Sequence, residues 1–125
     1  MKKLRIVTRS GEYLAVLDDS DISNAVWLSL PQRPTVNMMG GEIYFEMPLD
    51  PDVKGTERVT VLEKGDIAWW PGPRAIRIFY GPTPLSEEDG NPVSSHPVIK
   101  IGHIEDCEGI EDSGDRQRIL MDREF

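Results

Sequence analysis

GDIAWWPGPRAIRIFYGPTP, residues 65–84, predicts two β-strands joined by a rigid turn. Side chains alternate between the two faces of a strand, so Trp69 and Trp70 point in opposite directions. We expect one tryptophan to fill a core and the other to lie outside it. The Pro-Gly-Pro turn fixes the backbone beside the outer tryptophan. In the second strand, Arg77 and Phe79 share the face that points away from the core.

An upstream strand, EIYFEM, has the same two-residue period. Its apolar positions predict a core face: Ile43, Phe45 and Met47. The positions between them predict a face towards water: Glu42, Tyr44 and Glu46. This alternation is typical of a sheet that buries only one of its faces.

The remaining segments predict a hairpin, one helix and several further strands. KLRIVTR and EYLAVL, separated by Ser10-Gly11, predict an N-terminal hairpin. DDSDISNAVWLSLP predicts a short helix whose cap oxygens come from residues 18–21. Its apolar residues recur at helical spacing: Ile22, Ala25, Val26 and Leu30. Residues 81–97, rich in Pro, Gly and Ser, predict a long loop.

The number of short strands favours a closed sheet. About eight strands with one clear helix would leave unpaired edges in an open sheet, and closure into a barrel removes such edges. We therefore expect a mainly β fold, a closed eight-stranded β-barrel with one or two short helices over its ends. The length fits a single domain spanning residues 1–125.

The composition and net charge of the chain limit the binding partners and the cellular location that we expect. The chain has 22 Asp and Glu residues against 14 Lys and Arg residues, a net charge of -8. The basic residues are scattered, whereas nucleic acids and anionic membranes attract clustered positive charge. The N-terminus has no signal-peptide pattern, and the single Cys107 has no partner for an internal disulfide. We expect a cytoplasmic protein that binds neither nucleic acid nor membrane.

Three segments in chain order resemble a known family: GGEIYFEMP (40–48), GDIAWWPGPRAIRIFYGPTPLS (65–86) and VIKIGHI (98–104). They are similar to the G-E-I-Y-F, G-D-x-x-x-W-P and I-G-x-I strands of the small cyclophilin-like domain proteins of bacteria and archaea. The resemblance spans nearly the whole chain. It implies a closed eight-stranded barrel like that of cyclophilin, in a largely uncharacterised family, and a shared fold does not carry a function with it.

The resemblance also raises peptidyl-prolyl isomerase activity as an alternative. Cyclophilins use a catalytic arginine in an F-H-R-x-I type motif and a glutamine on the next strand. That motif is absent here, and Arg33, near the corresponding region, precedes Pro34. The outward positions of the following strand hold no glutamine. An isomerase with a divergent active site is therefore the second hypothesis.

The outward residues of the predicted strands indicate a ligand groove. Arg77 offers a fork of hydrogen-bond donors, and Tyr44, Trp70 and Phe79 offer flat apolar walls. If their strands are neighbours, these residues meet on the outer face of the barrel together with Glu46. Arg77→Ala should then abolish binding and change stability by no more than about 0.5 kcal/mol. The alternative is that Arg77 only pairs with a surface acid.

The sequence predicts neither a metal nor a cofactor. His96 and His103 are widely spaced and lack cysteine partners, which does not match a zinc site. No phosphate-binding loop of a nucleotide-binding fold is present. The main hypothesis is a barrel that binds a small molecule or a short extended peptide. The alternatives are the divergent isomerase and a non-catalytic interaction or assembly module.

Overall fold

The chain begins with a β-hairpin. A computed structural model, which describes residues 2–125, pairs β1 (Lys2–Thr8) with β2 (Gly11–Leu17) in antiparallel register. Buried residues alternate with exposed or half-buried residues in both strands. This is the pattern of a sheet with one face in a core. The predicted N-terminal hairpin is confirmed.

Seven further strands follow along the chain. They are β3 (Asn37–Met39), β4 (Glu42–Glu46), β5 (Val59–Val61), β6 (Asp66–Trp70), β7 (Ala75–Phe79), β8 (Val93–Ile104) and β9 (Leu120–Arg123). The Pro-Gly-Pro turn joins β6 to β7 as predicted, and the structure shows that these two strands pair antiparallel. The other edge of β7 pairs with β4, where Tyr44 lies opposite Arg77.

One α-helix, α1 (Asp21–Ser29), follows the first hairpin. Its N-cap is Ser20, whose Oγ accepts a hydrogen bond from the backbone N–H of Ser23 at 3.2 Å. This bond satisfies one of the free donors of the first helical turn. A three-residue 3-10 helix, Ile110–Asp112, is the second short helix. In the part of the chain that the structure describes, no helix is long and apolar enough to cross a membrane.

The main sheet is an open half-barrel, and the predicted closed barrel is therefore wrong. Its order is β3-β4-β7-β6-β8-β2-β1-β9, with β5 attached to β8 outside this path. In the described residues, β3 and β9 are not paired along their length. Two isolated bridges, Gln32 with Met121 and Thr35 with Arg118, link the chain before β3 to the chain around β9. Pro34 lies between the bridged positions and has no N–H to donate, so it takes part in this pairing only through its carbonyl, which accepts from the N–H of Ile119 at 3.0 Å.

The inner face of the sheet forms the main hydrophobic core. Ile43 and Phe45 from β4, Trp69 from β6 and Ile76 from β7 are buried there. Trp70 lies on the opposite face and is half-buried. The two-residue period therefore assigned these side chains to the correct faces, and the mainly β class is confirmed.

The long strand β8 has different partners along its length. Its first part pairs with β5, where Val59 lies opposite Val98, and its later part pairs with β6 and β2. The loop predicted over 81–97 is wrong in its last part, because the strand already begins at Val93. Pro97 is accommodated because the β5–β8 pairing is irregular there, and a proline fits a strand only where no ladder hydrogen bond is needed. Thus β5 and this part of β8 cover the outer face of β6 and β7.

Candidate functional site

The outer face of β7 is buried rather than exposed. Arg77 and Phe79 project from this face as predicted, and they are 1% and 0% exposed. Phe79 packs in a second apolar cluster with Leu62, which follows β5, and Val98, which belongs to β8. The β5–β8 pair therefore buries the face that the sequence pattern directed towards water.

Arg77 is held by hydrogen bonds from three of its nitrogens. Its Nε donates to Oε1 of Glu42 at 3.1 Å, and its Nη2 donates to the same oxygen. Its Nη1 donates to Oγ of Ser94 at 2.8 Å. Glu42 is 2% exposed and Ser94 is 3% exposed, so the pair is an ionic contact inside the protein. Such a contact is costly to break by removing one partner.

Two aromatic rings flank the Arg77 guanidinium. Its central carbon lies 4.5 Å from the ring centroid of Trp70 and 5.2 Å from that of Phe79. A cation over an aromatic face is stabilised by about 2 kcal/mol when the contact is shielded from water. The rings therefore offset part of the cost of burying the charge.

The aromatic group continues to the protein surface. The rings of Tyr44 and Trp70 meet edge to face at 5.9 Å, and the imidazole of His96 lies 5.2 Å from the Trp70 ring. Tyr44 and Trp70 are half-buried, and His96 is exposed. Four of the five residues predicted to line a groove are thus brought together: Tyr44, Trp70, Arg77 and Phe79.

Glu46, the fifth residue of the predicted groove, lies apart from this group. It is exposed at the end of β4, opposite Ala75 of β7. It lines a separate surface depression together with Pro73 and Arg74. The two-residue period placed Glu46 on the correct face, but this residue is two positions beyond Tyr44 along the strand.

Burial raises the pKa of the Glu42 carboxyl above its ordinary value of 4.5. The hydrogen bonds and the positive charge of Arg77 act in the opposite direction, and they do not fully cancel the cost of desolvation. Glu42 therefore takes up a proton more readily than an exposed glutamate does.

A cavity of about 220 Å³ lies beside the ion pair. Its wall includes Met39, Gly40, Glu42, Arg77, Thr83, Pro84, Leu85, Val93 and Ser95. Apart from the ion pair, these residues carry no charge. In residues 2–125, no group of three or more His, Cys, Asp or Glu residues is placed to hold a metal ion. The arrangement suits hydrogen bonding and apolar packing with an organic molecule.

Two interpretations from the sequence need correction here. Arg77 does not sit on a solvated surface, so Arg77→Ala is not expected to leave the stability nearly unchanged. Glu42 does not face bulk water: it is 2% exposed, pairs with the buried Arg77, and lies beside residues 83–85 and Val93 at the cavity. Glu42, Ser94 and Leu85 are not among the site residues predicted from the sequence. The shared face with Tyr44 was a signal for Glu42, whereas Ser94 and Leu85 lay in a segment predicted as loop.

The comparisons with known proteins agree on the fold. The family model described as Cyclophilin-like matches residues 2–121. The solution structure of a hypothetical protein from Archaeoglobus fulgidus superimposes with a TM-score of 0.79 at 30% sequence identity, covering 98% of this chain and 95% of that chain. No curated protein matches the chain. The chain belongs to the cyclophilin-like family.

Proposed function

We propose that this chain binds a small organic molecule, or one side chain of a short extended peptide, in the cavity beside Glu42 and Arg77. The observation that carries the proposal is the geometry of the ion pair. Both bonds from Arg77 to the carboxylate end on Oε1. Among residues 2–125, no group donates a hydrogen bond to Oε2 of Glu42, and Glu42 lines the cavity. A ligand that donates a hydrogen bond to Oε2 would satisfy the second oxygen of the Glu42 carboxylate.

The charge of the site favours a neutral ligand. Glu42 and Arg77 neutralise each other, and the remaining wall is apolar or weakly polar. A charged ligand would lose its hydration without gaining a free counter-charge. The ligand class is therefore a neutral molecule that joins an apolar group to an N–H or O–H donor.

The size of the cavity limits the ligand. About 220 Å³ corresponds to roughly seven water molecules at about 30 Å³ each. A short alkyl amide, a small alcohol or one apolar side chain of a peptide with its backbone N–H fits this volume. Met39 and Leu85 on the rim are more than one-third exposed and offer apolar contact to the rest of a longer ligand.

A thermal-shift screen tests the proposal. Short alkyl amides, small alcohols and blocked dipeptides are added to the wild-type chain, since a ligand at 100 times its Kd adds about 2.7 kcal/mol to the free energy of unfolding. Leu85→Asp places a charge on the cavity rim at a side chain that is already 55% exposed. Its own effect on stability should stay within about 0.5 kcal/mol.

Leu14→Asp is the matched control, because Leu14 is 58% exposed and lies on β2, away from the cavity. We expect compounds that raise the Tm of the wild type and of Leu14→Asp, with the shift lost in Leu85→Asp. Ligand-induced Tm shifts that persist in Leu85→Asp would show that the compounds bind outside this cavity. A screen in which neither the amides, the alcohols nor the dipeptides shift the wild type would contradict the proposal as stated.

A further inference from the structure

Strand β8 contains a bulge that re-aims two side chains. Asp66 and Ala68 of β6 lie opposite His103 and Lys100, so β8 spans one more residue than β6 between the same two pairings. Without the extra residue, side chains three positions apart would point to opposite faces. The bulge places Lys100 and His103 on the same outer face, and bulges are frequent where a strand must direct a side chain to a functional site.

Asp66 is the buried partner of both re-aimed side chains. Its carboxylate is 2% exposed, and Oδ1 lies 3.1 Å from Nζ of Lys100 and 3.0 Å from Nδ1 of His103. The backbone N–H of Glu63 donates to Oδ2 at 2.8 Å. Asp66 pairs with Lys100 as an ion pair and accepts hydrogen bonds from Glu63 and His103. A carboxylate only accepts, so Nδ1 of His103 carries its proton. In the neutral ring the lone pair is then on Nε2.

The His103 ring is also fixed by packing. A Cβ atom on Gly65 would lie 2.9 Å from Cε1 of His103, a distance that side-chain carbons do not adopt. The ring therefore rests on the Gly65 backbone, while 41% of the His103 side chain stays exposed. Among residues 2–125, no group forms a hydrogen bond to Nε2 of His103. A carboxylate that orients an imidazole whose second nitrogen has no protein partner is the arrangement that general bases use.

A surface depression of about 360 Å³ adjoins this histidine. Its wall is formed by Val16, Leu17, Asp18, Lys100, Gly102 and His103. The charges of Asp66 and Lys100 cancel, so a proton taken up by His103 makes this group of three residues net positive. An anion formed in the depression would then lie beside the positive imidazolium, and Asp18 is the one negative charge on the wall of the depression.

We propose that this depression is a second site, which binds small weak acids with an apolar body and uses His103 as the proton acceptor. The ligand O–H bond breaks, the proton moves to Nε2 and the electron pair stays on the ligand oxygen. The imidazolium is stabilised by Asp66 on its other side. The strands that build this site are β2, β6 and the second half of β8, whereas Glu42 and Arg77 lie on β4 and β7.

A titration with 4-nitrophenol tests the proposal, because its anion absorbs visible light and the neutral phenol does not. At a fixed pH where the probe is partly ionised, the wild-type chain should raise the anion fraction with a saturating dependence on protein concentration. His103→Gln should remove this increase. The matched control is His96→Gln, which changes the other histidine of the chain and should behave as the wild type.

Nuclear magnetic resonance of the wild-type chain gives a second readout that does not depend on the folding of a variant. The His103 ring signals, assigned with His96→Gln, should report the proton on Nδ1 in the neutral form and should shift when 4-nitrophenol is added. An anion fraction that does not change with protein, or that rises equally in His103→Gln, would overturn the proposal. The proposal would also be overturned if the chemical shifts of the His103 ring did not change up to the solubility limit of 4-nitrophenol.

Discussion

Arg77 places two hydrogen bonds on one oxygen of Glu42, from Nε at 3.1 Å and from Nη2. Both side chains are almost completely buried on the outer face of the half-barrel. This face became an interior because β5 and the start of β8 lie over it. The pair therefore connects the sheet to the start of β8, because Ser94 of β8 accepts a hydrogen bond from Nη1 of Arg77 at 2.8 Å.

Arg77→Ala should lower the free energy of unfolding by about 3–5 kcal/mol, because it leaves the Glu42 carboxylate buried without its partner. Urea denaturation monitored by tryptophan fluorescence measures the change. Arg58→Ala is the control: Arg58 is an exposed arginine, and its removal should cost no more than about 0.5 kcal/mol.

Replacing both partners, by Arg77→Met with Glu42→Leu, should cost less than the sum of the two single replacements. The double variant leaves no unpaired charge, and apolar side chains can fill the same space. If the costs of the two single replacements add up to the cost of the double variant, the two side chains contribute independently to stability. This result would contradict the ion pair seen in the structure.

The raised pKa of Glu42 predicts a gain in its contribution to stability on acidification. Folded Glu42 binds a proton at a higher pH than unfolded glutamate does, so the folded state holds more protons in that interval. Stability relative to a variant without this carboxyl should therefore rise as the pH falls from the raised pKa towards 4.5. Denaturation of the wild type and of Glu42→Gln over this range gives the difference.

In that comparison, Glu42→Gln is the reference because it keeps the shape of the side chain and does not titrate. If the difference between the two proteins moves in the opposite direction, the Arg77 charge outweighs desolvation, and the pKa of Glu42 is lowered rather than raised.

Gly41 should not tolerate a side chain. Its φ is +80°, and an added Cβ would lie 2.2 Å from the carbonyl oxygen of Pro82. Gly41→Ala should therefore cost clearly more than the roughly 1 kcal/mol of backbone strain alone. Gly55 is the matched control, with φ +73° and no atom within 4 Å of the added carbon. Equal losses of Tm in Gly41→Ala and Gly55→Ala would contradict the close approach of the Gly41 backbone to the Pro82 carbonyl.

Much of the sheet could be predicted because its signal is local. The alternation in β4, β6 and β7 assigned Ile43, Trp69 and Ile76 to the core, and Pro-Gly-Pro predicted the turn between β6 and β7. Closure of the barrel has no local signal in the sequence, because it depends on whether two segments that are distant in the chain pair with each other. In this chain the two segments are linked by isolated bridges on either side of Pro34, Gln32 with Met121 and Thr35 with Arg118.

The candidate site was predictable only in part for the same reason. Strand period predicted that Tyr44, Trp70 and Arg77 point away from the core. Their proximity was expected only if their strands are neighbours, and the structure shows that β4 pairs with β7. Their environment depends on which segment covers that face, and residues 93–97 belong to a segment whose Pro, Gly and Ser content predicts a loop. Burial, the partner of Arg77 and the cavity therefore came from the structure alone.

The burial of Arg77 also bears on the isomerase hypothesis. An arginine that polarises a prolyl amide must reach the substrate, but Arg77 is 1% exposed, and Nε, Nη1 and Nη2 already donate to Glu42 and Ser94. We expect no acceleration above buffer in a protease-coupled assay with a general Xaa-Pro peptide, with a cyclophilin as positive control. Acceleration that disappears in Arg77→Lys would contradict this expectation. Acceleration in Glu42→Gln but not in the wild type would show that Glu42 holds the guanidinium away from substrate.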